Sequence, residues 1–363
     1  MGFKCGMIGL PNVGKSTIYN ALTSEKARVA NYPFCTIEPN TGVVQVVDSR
    51  LEEIESCIPT QRLVPTKMTF VDIAGLVEDA LENHRFLSHI RETHAIAHVV
   101  RCFSDPDILH IHGSLDPIRD IGNIEIQLIL SDLETVNKRY AHLGKLIQSS
   151  KDKKLITFSD LLEKVKLQLE DGKPIRALKL SSEELKLIAD LHLITAKKMF
   201  YIANVDDQDL NCLEKNPHFK KVLEYAQSEN SSVIPICGKI ESEIAELKIE
   251  EKKEFLQEIG LKEPGLNRVI REGYHLLGLQ TYFTASHIEI HAWTIQKGDK
   301  APQAAGVIHS DFERGFIKAE VYHYLDLLKY KTVRALKEAG KIRLEGKDYT
   351  VQDGDVIHFR FAV

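Results

Sequence analysis

Short apolar runs alternate with amphipathic stretches along most of the chain. Residues 3–10, 43–47, 67–73, 95–103, 198–204 and 232–237 are apolar, bounded by polar or turn-forming residues and too short for a typical helix, which predicts strands. A helix is predicted over 16–23, where Ile18, Ala21 and Leu22 share a face, and helical stretches also precede the last two runs. Strand and helix therefore alternate, the pattern of a doubly wound, mostly parallel sheet in an α/β domain.

That alternation is interrupted between residues 103 and 198. Over 123–148 the apolar residues Ile124, Ile126, Leu128, Ile129, Leu133, Val136, Tyr140, Leu143 and Leu146 recur at helical spacing among charges, and 155–169 repeats the pattern after a lysine-rich turn. Two long antiparallel helices, a hairpin inserted into the α/β domain, fit this spacing. From Gln280 onward the texture changes to alternating, aromatic-rich runs at 280–285, 289–295, 318–324, 341–344, 347–351 and 356–361, with one helix at 301–310. Gly-containing turns at 297–300, 345–347 and 352–355 punctuate them, so a separate β-rich α+β domain is predicted.

A chain of 363 residues, 43% hydrophobic and 27% charged, has the make-up of two or three soluble globular domains. Its formal net charge of −5 excludes a surface that is basic throughout. Any RNA contact must then use a local patch, such as Lys151, Lys153 and Lys154 or Lys329, Lys331, Arg334, Lys337, Lys341 and Arg343. Six cysteines without a C-x-x-C pair or zinc spacing read as reduced cytosolic thiols, Cys35 among them as a small filler. A first strand at residue 3 leaves no room for a signal peptide, Gly6 fails the myristoylation pattern and no apolar run reaches 18 residues. A cytoplasmic protein with no membrane partner is expected.

Chemistry enters with Gly9-Leu10-Pro11-Asn12-Val13-Gly14-Lys15-Ser16, a match to G-x-x-x-x-G-K-[ST] set between a predicted strand and a predicted helix. Its glycines let the backbone curl so that N–H groups face phosphate oxygens. Asn12, Val13, Gly14, Lys15, Ser16 and Thr17 form the predicted cradle, Lys15 reaching the β- and γ-phosphates and Ser16 ligating Mg²⁺. A second Mg²⁺ anchor is Asp72, which ends an apolar run and opens D-x-x-G, with the Gly75 N–H placed to sense a γ-phosphate. Thr36 lies in the loop after the first helix, where nucleotide switches carry a threonine that closes on Mg²⁺. Asn204, Val205 and Asp207 follow a buried run at the place where guanine-specific enzymes carry N-K-x-D, with valine in place of lysine. The expected fold class is therefore α/β, a P-loop NTPase with an inserted helical hairpin and a small C-terminal domain.

Through residues 9–17, 31–42, 72–77, 90–103, 240–247, 263–271 and 279–361 the chain resembles the YchF/Obg-like ATPase family, a branch of the translation-factor-related P-loop NTPases. The tail is similar to a TGS domain, a β-grasp module. This resemblance implies an Mg²⁺-dependent ATPase that accepts GTP less well and associates with ribosomes, through the large subunit or the 70S particle and its rRNA. It also implies three parts: an NTPase domain over 1–122 and 196–278, a helical coiled-coil-like domain over 123–195, and a TGS domain over 279–363. Leu76 occupies the position of the water-positioning glutamine of other translational GTPases, and leucine has no hydrogen-bonding atom. By resemblance that task, and with it a catalytic role beside Lys15, falls to His110, with His112 as its neighbour. Two departures stand out: residues 78–85 are short and glycine-free where the family has a glycine-rich switch, so a partly helical segment is expected, and Asp207 replaces the family's usual glutamate. A GTPase of the same architecture and a nucleotide-gated binding module with incidental turnover are the alternative readings.

Overall fold

A computed structural model of the chain describes residues 3–24, 40–73, 80–149 and 152–362. Among them, the strands are β1 (Lys4–Ile8), β2 (Asn40–Gln45), β3 (Leu63–Val64), β4 (Lys67–Asp72), β5 (Ala95–Arg101), β6 (Lys198–Asn204), β7 (Val233–Ile236), β8 (Leu279–Ala285), β9 (Ile290–Gln296), β10 (Phe316–His323), β11 (Arg343–Glu345) and β12 (Asp355–Phe361). The helices are α1 (Lys15–Ser24), α2 (Arg50–Glu55), α3 (Ala80–Arg91), α4 (Pro117–Ser149), α5 (Lys153–Glu170), α6 (Ser182–Ile188), α7 (Pro217–Ser228), α8 (Gly238–Glu246), α9 (Ile249–Glu258), α10 (Gly265–Leu276), α11 (Ala301–Ile308), α12 (Ser310–Arg314), α13 (Tyr324–Tyr330) and α14 (Val333–Glu338). They divide into two compact units, residues 1–44 with 69–273 and residues 45–68 with 274–363.

The sheet of the first unit runs in the order β2-β4-β1-β5-β6-β7, with β4, β1, β5, β6 and β7 mutually parallel. Every residue of β5 is buried, as a central strand covered on both faces requires. That is why 95–103 reads as a continuous apolar run with no alternation. The predicted hairpin is α4 and α5: Ile129, Val136 and Leu143 recur every seven residues along α4 and share a core with Leu161, Leu162, Val165 and Leu169 of α5. α4 begins before the predicted helix, at Pro117, which suits a first turn because it has no N–H to leave unpaired. Lys153 and Lys154 belong to the first turn of α5, capped by Asp152; Lys151 lies outside the described residues.

Two buried polar clusters hold α4, one to the turn that leads into β6 and the other to β6 itself. The Asp132 carboxylate accepts the N–H groups of Ile194 (2.9 Å) and Thr195 (2.7 Å). Arg176 donates to both oxygens of Glu125 on α4 (3.1 and 2.6 Å) and to Glu229 (3.2 Å), which also accepts the Tyr201 hydroxyl of β6 at 3.0 Å.

In the second unit the sheet order is β11-β10-β12-β8-β9-β3. Successive β8 side chains point to opposite faces, so Tyr282 joins a core with Ala304, Val321 and Phe359 while Phe283 joins another with Ile290, Leu327 and Leu336. Residues 45–68, left within the nucleotide domain by the sequence reading, belong to this unit: Leu51 and Ile54 of α2 enter the Phe283 core and β3 pairs with β9. Three further differences appear in the tail. The predicted strand 341–344 shifts and shortens to β11 at Arg343–Glu345, the predicted strand 347–351 reduces to a single bridge between Lys300 and Thr350, and short helices α13 and α14 carry Lys329, Arg334 and Lys337. Helices of six or seven residues complete fewer than two turns, too few for a 3.6-residue period to show in sequence. Among the described residues, no helix is long and apolar enough to cross a membrane.

Candidate functional site

β1 ends at Ile8 and α1 begins at Lys15, and the six residues between them curl tightly. Glycine is required twice. A Cβ on Gly9 would lie 2.8 Å from the Val99 carbonyl of β5, and Gly14 has φ +87° with Asn204 Nδ2 2.2 Å from where its Cβ would stand. Asn12 takes the left-handed conformation at φ +62°, one of the few non-glycine residues suited to it. Val13 is buried and anchors the loop, while Ser16 and Thr17 are exposed at the N-terminus of α1, where unpaired N–H groups and the helix dipole favour an anion.

Lys15 is 8% exposed, and its ammonium is ion-paired with the Asp72 carboxylate at the end of β4. The predicted phosphate-binding lysine and the predicted metal anchor thus meet directly beneath the loop. Thr36, Gly75 and Leu76 lie outside the described residues. The helical expectation for 78–85 holds from Ala80, where the backbone of α3 begins.

Beside the loop opens a cleft of about 690 Å³, bordered by Gly14, Phe103, Val205, Asp207, Gly238 and Lys239. That is room for a nucleoside. Asn204, 5% exposed, spends both ends of its amide inside the protein: Nδ2 donates to the Val13 carbonyl (2.9 Å) and Oδ1 accepts the Gly238 N–H (2.9 Å). It is a clamp joining the phosphate loop to the start of α8. Val205, buried, borders the cleft and donates its N–H to the Ile236 carbonyl (2.8 Å). Asp207 is exposed at the cleft edge and accepts the Gln208 N–H at 2.7 Å.

One wall is held by Arg101, at the end of β5 and 4% exposed. Its guanidinium donates to the carbonyls of Phe103 (3.2 Å), Asp105 (3.2 Å) and Ile108 (3.0 Å) and lies over the Phe103 ring at 4.4 Å. On the opposite side Cys237 is buried at the foot of α8, and burial pushes its thiol up.

His110 lies on the loop that continues this wall. The loop is tied to the phosphate loop by Asn12 Nδ2, which donates to the Leu109 carbonyl at 3.1 Å. The His110 ring itself turns away, with Nε2 2.8 Å from Asp120 Oδ2 and Nδ1 accepting the His112 N–H at 3.1 Å. The structure therefore brings Asn12, Val13, Gly14, Lys15, Ser16, Thr17 and Asp72 into one cradle and Asn204, Val205 and Asp207 to the adjoining cleft. His110 is close by, with both ring nitrogens engaged by protein.

Sequence reasoning missed Arg101, Phe103, Asp120, Gly238 and Lys239. A signal existed for the last two, since Cys237-Gly238-Lys239 follows a buried strand and opens a helix, as the phosphate loop does. Asp120 gave none, being one of many charges on an amphipathic helix.

Residues 4–140 match the family described as "50S ribosome-binding GTPase", and residues 279–362 match a YchF-GTPase C-terminal family described as "Protein of unknown function (DUF933)". The chain is 51% identical to the "Ribosome-binding ATPase YchF" of Bacillus subtilis and 52% identical to that of Haemophilus influenzae, covering all of each chain. It also matches the structure of the Schizosaccharomyces pombe "YchF GTPase" with a TM-score of 0.89 and 36% identity, over 99% of this chain and 98% of that one. Since likeness of sequence and of fold both run from end to end, the chain belongs to the YchF family.

Proposed function

We propose that this protein is an Mg²⁺-dependent ATPase, hydrolysing ATP to ADP and phosphate and accepting GTP less well, that works in the cytoplasm as a ribosome-associated nucleotide switch. The observation that carries the reading is the curled backbone over Asn12 to Gly14 with the Lys15 ammonium beneath it and a nucleoside-sized cleft alongside. In this reading Asn12, Val13, Gly14, Lys15, Ser16 and Thr17 hold the phosphates, Gly75 senses the γ-phosphate, Val205 and Asp207 frame the base, and Asn204 serves nucleotide binding by clamping the phosphate loop to the start of α8. Ser16, Thr36 and Asp72 supply hard oxygen donors of the kind Mg²⁺ takes. The Asp72 carboxylate already faces a cation, the Lys15 ammonium, which supports a site built for positive charge. When bound, Mg²⁺ neutralises charge on the phosphates; positioning remains with the protein.

Hydrolysis needs a group to orient water, and Leu76 has no atom for it. His110 takes that role here, which requires the His112 amide to release its Nδ1. Turnover is accordingly slow until the loop rearranges. ATP preference is supported by the apolar Val205 in place of a lysine and by the ATPase names of the bacterial relatives. GTP use is the second reading, favoured by the exposed Asp207 carboxylate at the cleft edge, which could accept the N1 and N2 donors of guanine. The name of the Schizosaccharomyces pombe protein points the same way.

Ribosome association, through the large subunit or 70S particle and rRNA, is supported by the names of the relatives and by the lysines of α5, α13 and α14. For function, the sequence divides into an NTPase part over 1–122 and 196–278, a helical part over 123–195 and a TGS part over 279–363. Calorimetric titration with non-hydrolysable ATP and GTP analogues tests the leading reading. Tighter ATP binding is expected, lost in K15A, and with H110A binding normally but failing to hydrolyse. Tighter GTP binding overturns the choice of nucleotide, and no heat with either overturns the whole assignment.

A further inference from the structure

We propose that Asp120 is the positioning residue for His110, fixing the ring so that Nδ1, not Nε2, receives the hydrogen bond from the attacking water. The inference rests on the water-orienting role of His110 given above.

Its first support is the hydrogen-bond pattern of the ring. Nδ1 accepts a backbone N–H, that of His112, and a backbone amide can only donate. Nδ1 therefore carries no proton, and the proton of the neutral imidazole sits on Nε2, 2.8 Å from Asp120 Oδ2. A carboxylate behind the ring, fixing tautomer and orientation while the far nitrogen does the work, is the logic of an oriented histidine in acyl-transfer triads. The two contacts differ in strength: the Asp120 bond joins side chains that are 8% and 4% exposed, whereas the His112 contact is longer and exposed. Movement of the loop toward a bound nucleotide would surrender the His112 contact and keep the Asp120 one.

The second support is the cost of keeping Asp120 where it is. The residue is 3% exposed, and among the described residues its Oδ1 has no hydrogen-bond partner, the Arg119 guanidinium standing 3.5 Å away. A buried, half-satisfied carboxylate is unfavourable for folding and persists where another role retains it. The third is its location in the first turn of α4, the helix whose Ile129, Val136 and Leu143 build the hairpin core. Some 23 residues of one helix, about 35 Å, separate Asp120 from Leu143. His110 is thereby referenced to a long rigid element and not only to its own loop.

The test uses the full chain and compares ATP hydrolysis by wild type, H110A, D120A, D120N and the H110A/D120A double variant, with nucleotide affinity measured alongside as a check on folding. Misplacing a catalytic group costs on the order of 10²-fold. D120A should lower kcat on that scale with KM within about threefold, D120N should recover most of the loss because it keeps an acceptor oxygen, and the double variant should be no slower than H110A. ¹⁵N spectra of the wild-type imidazole should show Nε2 protonated and Nδ1 bare, and D120A should lose that preference. An unchanged kcat in D120A beside an impaired H110A overturns this inference alone, as do losses that multiply in the double variant or a wild-type ring protonated on Nδ1. An unchanged kcat in H110A overturns the role of His110 and this inference with it.

Discussion

Replacing Asn204 by alanine separates a clamp from a base reader. In the structure the Asn204 amide holds the Val13 carbonyl and the Gly238 N–H, both at 2.9 Å, in a position 5% exposed. N204A leaves an acceptor and a donor buried and unpaired, each costing about 1–3 kcal/mol, so a stability loss of about 2–6 kcal/mol is expected, toward the lower end if water enters the space. The freed Val13 belongs to the loop that would curl around phosphate, so affinity for ATP and GTP analogues should fall together, by at least about tenfold, which is about 1.4 kcal/mol. N204D is a sharper variant. It still accepts from Gly238 but sets a carboxylate oxygen against the Val13 carbonyl, two acceptors with no proton between them. It should bind nucleotide more weakly than N204A. Urea denaturation measures the first quantity and calorimetry the second. A change in the ATP-to-GTP affinity ratio with unaltered stability would refute the clamp and make Asn204 a reader of the base.

Two further predictions follow from the same unit. His98 is fully buried beside the Tyr201 ring, and burial together with the Arg176 guanidinium pulls its pKa from 6.5 down to about 3. The unfolded chain takes up a proton below its ordinary value while the folded one does not, so stability falls as pH drops from 6.5 toward 3, by about 2 kcal/mol between pH 7 and pH 5. Urea titrations of wild type and H98F at both pH values should differ by that amount, and parallel losses would contradict it. Gly14, at φ +87° with Asn204 Nδ2 2.2 Å from its missing Cβ, should not accept a side chain. G14A should cost at least about 1–2 kcal/mol of stability from the left-handed backbone alone and abolish measurable nucleotide binding by displacing the clamp; wild-type calorimetry would show that the loop relaxes freely.

What the sequence determined by itself is what local chemistry and periodicity encode. Glycines at 9 and 14 around a lysine specify a curl that few other residues permit, and the apolar run 95–103 specifies a strand covered on both faces. The seven-residue repeat of Ile129, Val136 and Leu143 likewise specifies a long helix with a partner. Tertiary structure alone decided whatever depends on residues far apart in the chain meeting. Residues 45–68 carry too few periodic positions to declare that they pair with β9, more than 200 residues away. Asn204 resembled a base contact until its amide was found spanning Val13 and Gly238, which stand 191 and 34 residues from it. Asp120 and His110 are ten residues apart, yet nothing in their order says that a loop will fold back to set an imidazole against the first turn of α4. Sequence patterns report a residue's neighbours at one helical turn or one pleat; the pairings that set protonation and clamp a loop are made across the fold, where only packing chooses the partner.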